Sequence, residues 1–298
     1  TAVRSINVYD VTLSAENGTV IGAGSYNHGT EVTLTATPNE GYHFVKWSDG
    51  ETNATRTITV TADVTLTAEF AINVYDVTLN AENGTVTGAG EYAHGTEVTL
   101  TSTPNEGYHF VKWSDGETNA TRSIIVTSNV TLTAEFAINV YNITATAVNG
   151  TVTGAGEYNH GELVTLIAIA NANCHFINWS DGETEITRSF IATKDVNLVA
   201  YFASDKYLVI LSGENGVVTG AGEYTHGDEV TITATPNEGY HFVKWSDGET
   251  NAIRTITVTA DVTLTAEFAI NVYDLTLNAE NGTVTGAGEY AHGTEVTL

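Results

Sequence analysis

The chain has 298 residues, with 10 Lys and Arg against 36 Asp and Glu, for a formal net charge of -26. A surface that acidic repels nucleic acid and anionic lipid, because phosphate binding needs clustered Lys and Arg. It keeps the chain soluble and suits divalent cations or basic surfaces as charged partners. The single cysteine, Cys174, excludes an intrachain disulfide, and no apolar run approaches the roughly 18 residues of a spanning helix. There is no Met, and the chain opens at Thr1 inside a strand-like run, which reads as an internal or processed segment.

In chain order, the first elements alternate with period two. Tyr9, Val11, Leu13 and Ala15 share one parity and Asp10, Thr12 and Ser14 the other. The pattern recurs in Val32, Leu34 and Ala36, in Ile58 and Val60, and in Val64, Leu66, Ala68 and Phe70. This is the signature of half-buried strands, and its Thr and Val content disfavours helix. Strands are predicted near 8–15, 19–26, 30–37, 42–48, 56–61 and 64–70. Asn17-Gly18 reads as a two-residue hairpin turn with φ > 0 at both positions. Asn27-His28-Gly29 separates the next strands. Pro38-Asn39-Glu40-Gly41 suits a type I turn followed by a left-handed residue, and Asp49-Gly50 closes the Trp-bearing strand.

Trp47, Trp113, Trp179 and Trp245 recur every 66 residues, as do His28, His94, His160, His226 and His292. The units are 6–71, 72–137, 138–203 and 204–269, with a partial unit at 270–298. Self-similarity at fixed period defines a tandem array. The fold class is therefore all-β, a tandem array of small five-to-six-stranded antiparallel modules. No linker separates the units. Parity runs on through Phe70-Ala71-Ile72-Asn73-Val74 and flips at Tyr75, so a stiff junction and an elongated rod are expected.

The runs Gly29-Thr30-Glu31-Val32-Thr33-Leu34-Thr35-Ala36-Thr37-Pro38, Gly41-Tyr42-His43-Phe44-Val45-Lys46-Trp47 and Val64-Thr65-Leu66-Thr67-Ala68-Glu69-Phe70 resemble the divergent internalin B-repeat domain of bacterial surface proteins. The resemblance covers every full unit. It implies a small extracellular all-β module, related in pattern to β-grasp-like repeats, with no catalytic residues. Unit 3 departs from the pattern: Ala170 stands at the position of Pro38, Asn173 at Gly41 and Cys174 at Tyr42. Its turn is expected to be looser and its stability lower.

Several residue sets bear on chemistry. Trp47, Trp113, Trp179 and Trp245, with Phe70, Phe136, Phe202 and Phe268, are expected to be core, because a 66-residue unit needs large aromatics to fill it. The competing reading is a glycan platform of Trp47 with Tyr42 and His43. His28 and His43 form no metal-ligand spacing and read as a solvated turn histidine and a strand histidine. The Asp49-Gly50-Glu51 turn offers two carboxylates per unit. Calcium would suit them, but neither the alternating-acid calcium loop nor the glycine-rich calcium repeat is present, so a solvated turn is the better reading and no cofactor is expected. Gly22-Ala23-Gly24 lacks the third glycine and following helix of a phosphate loop and reads as a strand or bulge feature. Lys46 has counterparts in Lys112 and Lys244 but Asn178 in unit 3, so no cross-link through it is universal. Asn17, Asn53 and Asn142 open Asn-x-Thr triplets, acceptors only in a source that glycosylates.

The expected function is a non-catalytic stalk or filament shaft of an extracellular, cell-surface protein, projecting an adhesive tip. The alternative is multivalent glycan binding. The expected partners are neighbouring repeats of the same or a longer chain, with self-association into filaments; neither nucleic acid nor membrane insertion is expected. Residues 270–298 hold the first three predicted strands but no counterparts of Trp47, Ile58, Leu66 and Phe70. Such a fragment should not hold its fold alone. The expectation is a native chain that continues in further units, with strand addition by another chain as the alternative.

Overall fold

A computed structural model describes residues 4–298, so the run at Thr1 lies partly outside the described residues. The chain divides into two compact units, Thr1–Val140 with Asn159–Gly161, and Tyr141–Tyr158 with Glu162–Leu298. Every described element is a strand.

Repeat 1, in the first unit, contains seven strands: β1 (Val8–Ala15), β2 (Gly18–Ile21), β3 (Gly24–Asn27), β4 (Thr30–Pro38), β5 (Tyr42–Trp47), β6 (Thr55–Val60) and β7 (Val64–Ile72). They form two sheets, one in the order β3-β1-β7-β5 and one in the order β2-β4-β6. The core lies between the sheets. Val11, Val32, Leu34, Ala36, Trp47, Val60, Leu66 and Ala68 are buried there, and Phe44, Ile58 and Phe70 pack against them.

The predicted strand 19–26 is two strands in two different sheets. β2 pairs with β4, β3 pairs with β1, and the chain changes sheet at Gly22-Ala23. Gly22 has φ 111, and a Cβ there would lie 2.7 Å from the Thr33 carbonyl oxygen. Glycine alone meets both demands. The module thus has seven strands where alternation predicts five or six.

Asn17-Gly18 is also different from the sequence expectation. It joins β1 to β2 across sheets and closes no hairpin, since these two strands do not pair. Asn17 takes φ 62, but Gly18 is not in the positive-φ region. Glycine is required there by space, because a Cβ would fall on the Phe70 ring and 2.7 Å from the Thr37 carbonyl oxygen. The Pro38–Gly41 turn has its expected left-handed residue, Gly41 at φ 80, and the Tyr42 N–H donates to the Asn39 carbonyl at 3.1 Å.

One pairing departs from the antiparallel expectation. β1 and β7 run parallel, in register from Val11 opposite Val64 to Ala15 opposite Ala68. The Asp63 carboxylate, just before β7, accepts the Asp10 N–H at 2.9 Å and fixes that register. Asn129, Asp195 and Asp261 do the same for Asp76, Asn142 and Leu208. Alternation reports which face a residue lies on and carries no information about strand direction.

The second unit repeats this design. The turn of repeat 3 is not loosened: Asn173 adopts φ 59, and the Cys174 N–H donates to the Asn171 carbonyl at 3.2 Å. Asn is the residue other than Gly that best tolerates this conformation. In residues 270–298 the described pairing is Val272–Leu275 against Gly288–Ala291. The second half of that first strand, which in repeat 1 rests on β7, is irregular here, as are the counterparts of β2 and β4.

Trp47 has 0% exposure and packs its ring edge-on against Phe44 at a centroid distance of 5.9 Å. Replacing it with Ala removes the largest side chain of a small core. The expected loss is about 3–5 kcal/mol, read as a lower melting transition for that repeat in calorimetry.

Candidate functional site

The conspicuous side chains fall into three places in each repeat. The first is the core. Trp47, Trp113, Trp179 and Trp245 all have 0% exposure. The Trp47 indole N–H donates to the Asn53 carbonyl at 3.1 Å, which satisfies its polar end and ties the 48–54 loop down. Phe70, Phe136, Phe202 and Phe268 are half-buried at the edge of the same cluster, each ring lying edge-on to the preceding Phe. A sugar-stacking platform needs an exposed indole face, and Trp47 has none. Tyr42 is half-buried, and His43 is exposed but engaged with Asn73. The three residues do not form a shared surface.

The second place is the turn after β5. Asp49 is paired with Arg56, whose guanidinium donates to both carboxylate oxygens at 2.7 and 2.6 Å. Glu51 accepts the Asn53 N–H at 2.9 Å and its side-chain amide at 2.7 Å. Both carboxylates are therefore engaged, Asp49 by Arg56 on β6 and Glu51 by Asn53 within the turn, while Asp49 stays exposed to solvent. Asp115–Arg122, Asp181–Arg188 and Asp247–Arg254 repeat the pair. The relevant signal was in the sequence, as an Arg seven residues after the Asp in every full repeat, repeat 3 included. Among the described residues no group of three or more His, Cys, Asp or Glu is arranged to hold a metal ion.

The Arg56 guanidinium holds Asp49 below the usual carboxylate range, against an opposing effect of desolvation, with help from the Glu51 N–H. Asp115 and Asp247 are lowered in the same way. At Asp181 desolvation is the largest influence and raises the value, but the Arg188 bond and backbone donors bring the net below the ordinary one. Glu51 is lowered first by the Asn53 N–H.

The third place is the junction. In the first unit the β7 strand ends at Ile72 and the next strand begins at Val74, leaving Asn73 alone between them. The Asn73 N–H donates to the Gly41 carbonyl of repeat 1 at 2.7 Å, and its carbonyl accepts the His94 N–H of repeat 2 at 2.8 Å. Its side-chain oxygen lies 2.8 Å from His43 Nδ1. One residue is thus bonded to both repeats. The His94 ring lies over Gly41 so closely that a Cβ there would fall within the imidazole. Hence His94 is half-buried where a solvated turn histidine was expected. His28 is exposed. In the second unit Asp205 bonds Asn173 and His226, and Asn271 bonds Gly239 and His292, in the same way. Asp205 replaces the Asn and faces His175 at 2.8 Å.

Lys46 faces Glu69 at 3.6 Å on the open surface, as Lys112 faces Glu135. Such exposed pairs contribute little to stability.

Buried aromatics, internally paired turn charges and bonded junctions define a structural repeat module. The sequence model of the divergent InlB B-repeat domain matches residues 9–74, 75–140, 141–206, 207–272 and 273–298. The chain belongs to that family, a repeat family of bacterial surface proteins. A putative membrane protein of Evansella cellulosilytica is 26% identical over 262 residues, covering 81% of this chain and 40% of the relative. Internalin H of Listeria monocytogenes is 32% identical over 133 residues, covering 41% of this chain and 24% of the relative. Less than half the length of either relative is matched. The Bacillus anthracis TIE protein aligns with a TM-score of 0.40 at 9% identity, over 90% of this chain and 76% of that one.

The turn pairs predict an acid-sensitive fold. A carboxyl whose folded pKa is depressed stabilises the fold fully above its unfolded value. That contribution is lost as pH falls below about 4. The melting temperature should be nearly flat from neutrality down to about pH 5 and fall below about 4. Replacing Arg56, Arg122, Arg188 and Arg254 with Gln should lower the neutral plateau and flatten the acid limb, as followed by circular dichroism melts across pH.

Proposed function

We propose that the chain is a non-catalytic stalk segment of a bacterial cell-surface protein, a spacer that holds another part of that protein away from the cell. The observation that carries this reading is the parallel pairing of β1 with β7. First and last strands that run the same way put the entry of the chain at one end of the module and its exit at the other. An antiparallel pair would return the chain to its starting end. From Val8 to Val11 and then from Val64 to Ile72 the path advances about 36 Å along the strand direction, at ~3.3 Å per residue. Each module is thus a step.

The junctions support the same reading. A Gly/Ser tether would let successive modules swing. Here one residue bridges two repeats by backbone hydrogen bonds, and a histidine of the second seats on a glycine of the first. The near-identity of the repeats favours selection on reach over selection on one site. The relatives agree in kind, one being described as a membrane protein and one as an internalin. An extracellular location and an adhesive tip elsewhere in the protein follow from the same proposal. Filament assembly does not follow from it.

Small-angle scattering tests the spacer role. Proteins of two and of four repeats should differ in maximum dimension nearly in proportion to repeat number. Substituting Gly41 with Val, which displaces the seated His94, should broaden the distance distribution without unfolding the modules. Equal maximum dimensions for two and four repeats would reject the stalk.

A further inference from the structure

The parallel ladder also decides how a repeat answers to tension along the chain. The chain enters repeat 1 at the Val8 end of β1 and leaves it at the Ile72 end of β7. Tension draws β1 back toward its start and β7 on toward its end. The two strands are neighbours that run the same way, from Val11 opposite Val64 to Ala15 opposite Ala68. The pull therefore slides one strand along the other, and all five register pairs are loaded at once. Had the first and last strands been an antiparallel pair, their free ends would lie side by side, and the same pull would part the bonds one after another.

Both loaded strands are anchored on their far sides. β3 pairs with β1 from Val8 opposite Asn27 to Val11 opposite Gly24. β5 pairs with β7 from Tyr42 opposite Ile72 to Trp47 opposite Ala68. Just past β5, Ser48 takes both backbone groups of Thr67. Its N–H donates to the Thr67 carbonyl at 2.9 Å, and its hydroxyl accepts the Thr67 N–H at 3.1 Å. Side chains tie the two loaded strands directly. The Asp63 carboxylate holds the Asp10 N–H at the leading end of the ladder, and Ser14 Oγ lies 2.7 Å from Thr67 Oγ1 near its trailing end. On the inner face Val11, Leu66 and Ala68 are buried. Water reaches the ladder from one side only, and a shielded hydrogen bond has no ready replacement partner when it is stretched.

We propose that the repeats are load-bearing elements, each resisting tension by shear of its first strand against its last, so that the segment keeps its length while the protein is pulled. In repeat 2 the same ladder runs from Val77 opposite Val130 to Ala81 opposite Ala134, and in repeat 4 from Val209 opposite Val262 to Gly213 opposite Ala266. Repeat 3, with its altered turn residues, keeps the ladder from Ile143 opposite Val196 to Ala147 opposite Ala200, and keeps the carboxylate of Asp195 at its leading end. The joint leaves no slack. In the first unit one residue, Asn73, stands between β7 and the strand that opens repeat 2. A Gly/Ser tether would extend under the first pull. Here the load passes straight from one ladder to the next.

Resistance to force is a property of the unfolding rate, and it can change while the melting temperature does not. The inference takes its meaning from the stalk reading, since a spacer on a cell surface is pulled whenever what it carries is held. The two fail separately. Scattering on the repeat series measures reach without force, and pulling measures the ladder without regard to reach. A long array that gives way as easily along the chain as across its strands loses this inference alone. A resistant array whose dimensions do not grow with repeat number loses the stalk alone.

Single-molecule pulling on the whole chain decides it. Held by its two ends, the chain should give up to four abrupt events, one for each core. Each event should add about 180–200 Å, the reach of 66 unfolded residues at ~3.3–3.6 Å each less the folded step. The comparison molecule has C174S with V8C and A62C as handles, two exposed positions on the leading side of the repeat 1 ladder. Pulled there, the ladder opens from one end, and repeat 1 should yield at a force lower by about twofold or more. A second comparison keeps the direction and changes the ladder. D63A, N129A, D195A and D261A remove its leading bond and should lower the force in end-to-end pulling. R56Q, R122Q, R188Q and R254Q act in the turn away from the ladder, and should lower the melting temperature while the force stays near wild type. Two results overturn the proposal: equal force in both pulling directions, or ladder variants that yield no earlier than the arginine variants.

Discussion

The structure depends on the parallel bond ladder between β1 and β7. It brings the first and last strands of a 66-residue unit to the middle of one sheet, with β3 outside one and β5 outside the other. Everything between them then has to complete a second sheet and return. The exchange at Gly22-Ala23 is a consequence. β1 cannot accept β2 on the edge that β3 needs, so the chain crosses to pair β2 with β4 and crosses back for β3. The Asp63 side chain that fixes the register of this ladder lies in the short turn between β6 and β7, and Asn129, Asp195 and Asp261 recur there. A slip of one residue would turn Val64, Leu66 and Ala68 away from the core.

The aromatic cluster is the energetic counterpart of that ladder. Trp47 lies at the end of β5, next to β7, with its indole edge bonded to the 48–54 loop and its ring against Phe44. Few large side chains are available to a module of this size, and four fully buried tryptophans in four modules reflect that scarcity. The turn that follows puts Asp49 within reach of Arg56 on β6. Core, loop and charge pair therefore join the two sheets at the same edge. The two carboxylates of that turn are held by Arg56 and by Asn53.

Much of this was legible in the residues. Alternation located nearly every strand because burial on one face is written directly into side-chain parity. Gly41 and Gly50 marked their turns because only a left-handed residue fits there. What parity does not encode is partnership. Whether β1 lies beside β2 or β7, and in which direction, depends on contacts some 50 residues apart, and the Asn17-Gly18 pair imitated a hairpin signal while serving a close approach to Phe70. Arg56 was overlooked because it shares the parity of Ile58 and Val60 on its strand and finds its partner across a turn. The junction was legible as the absence of a linker, but not as a bond set. Asn73, Gly41 and His94 are far apart in sequence, and each reads alone as an ordinary turn residue.

Repeat 3 shows which features the architecture demands and which it merely permits. It has lost the glycine at Asn173, the lysine at Asn178 and the tyrosine at Cys174, yet it keeps the turn, the Arg188–Asp181 pair, the buried Trp179 and the bonded junction through Asp205. The conserved set within this one chain is therefore the internal scaffold. The freedom lies on outward positions, which Thr and Glu largely fill in the other three repeats and on which nothing in the core depends. There repeat 3 carries Leu163, Ile167, Ile169 and Ile191 at exposed positions, while Val164, Leu166 and Ala168 on the inward side stay buried as in the other repeats.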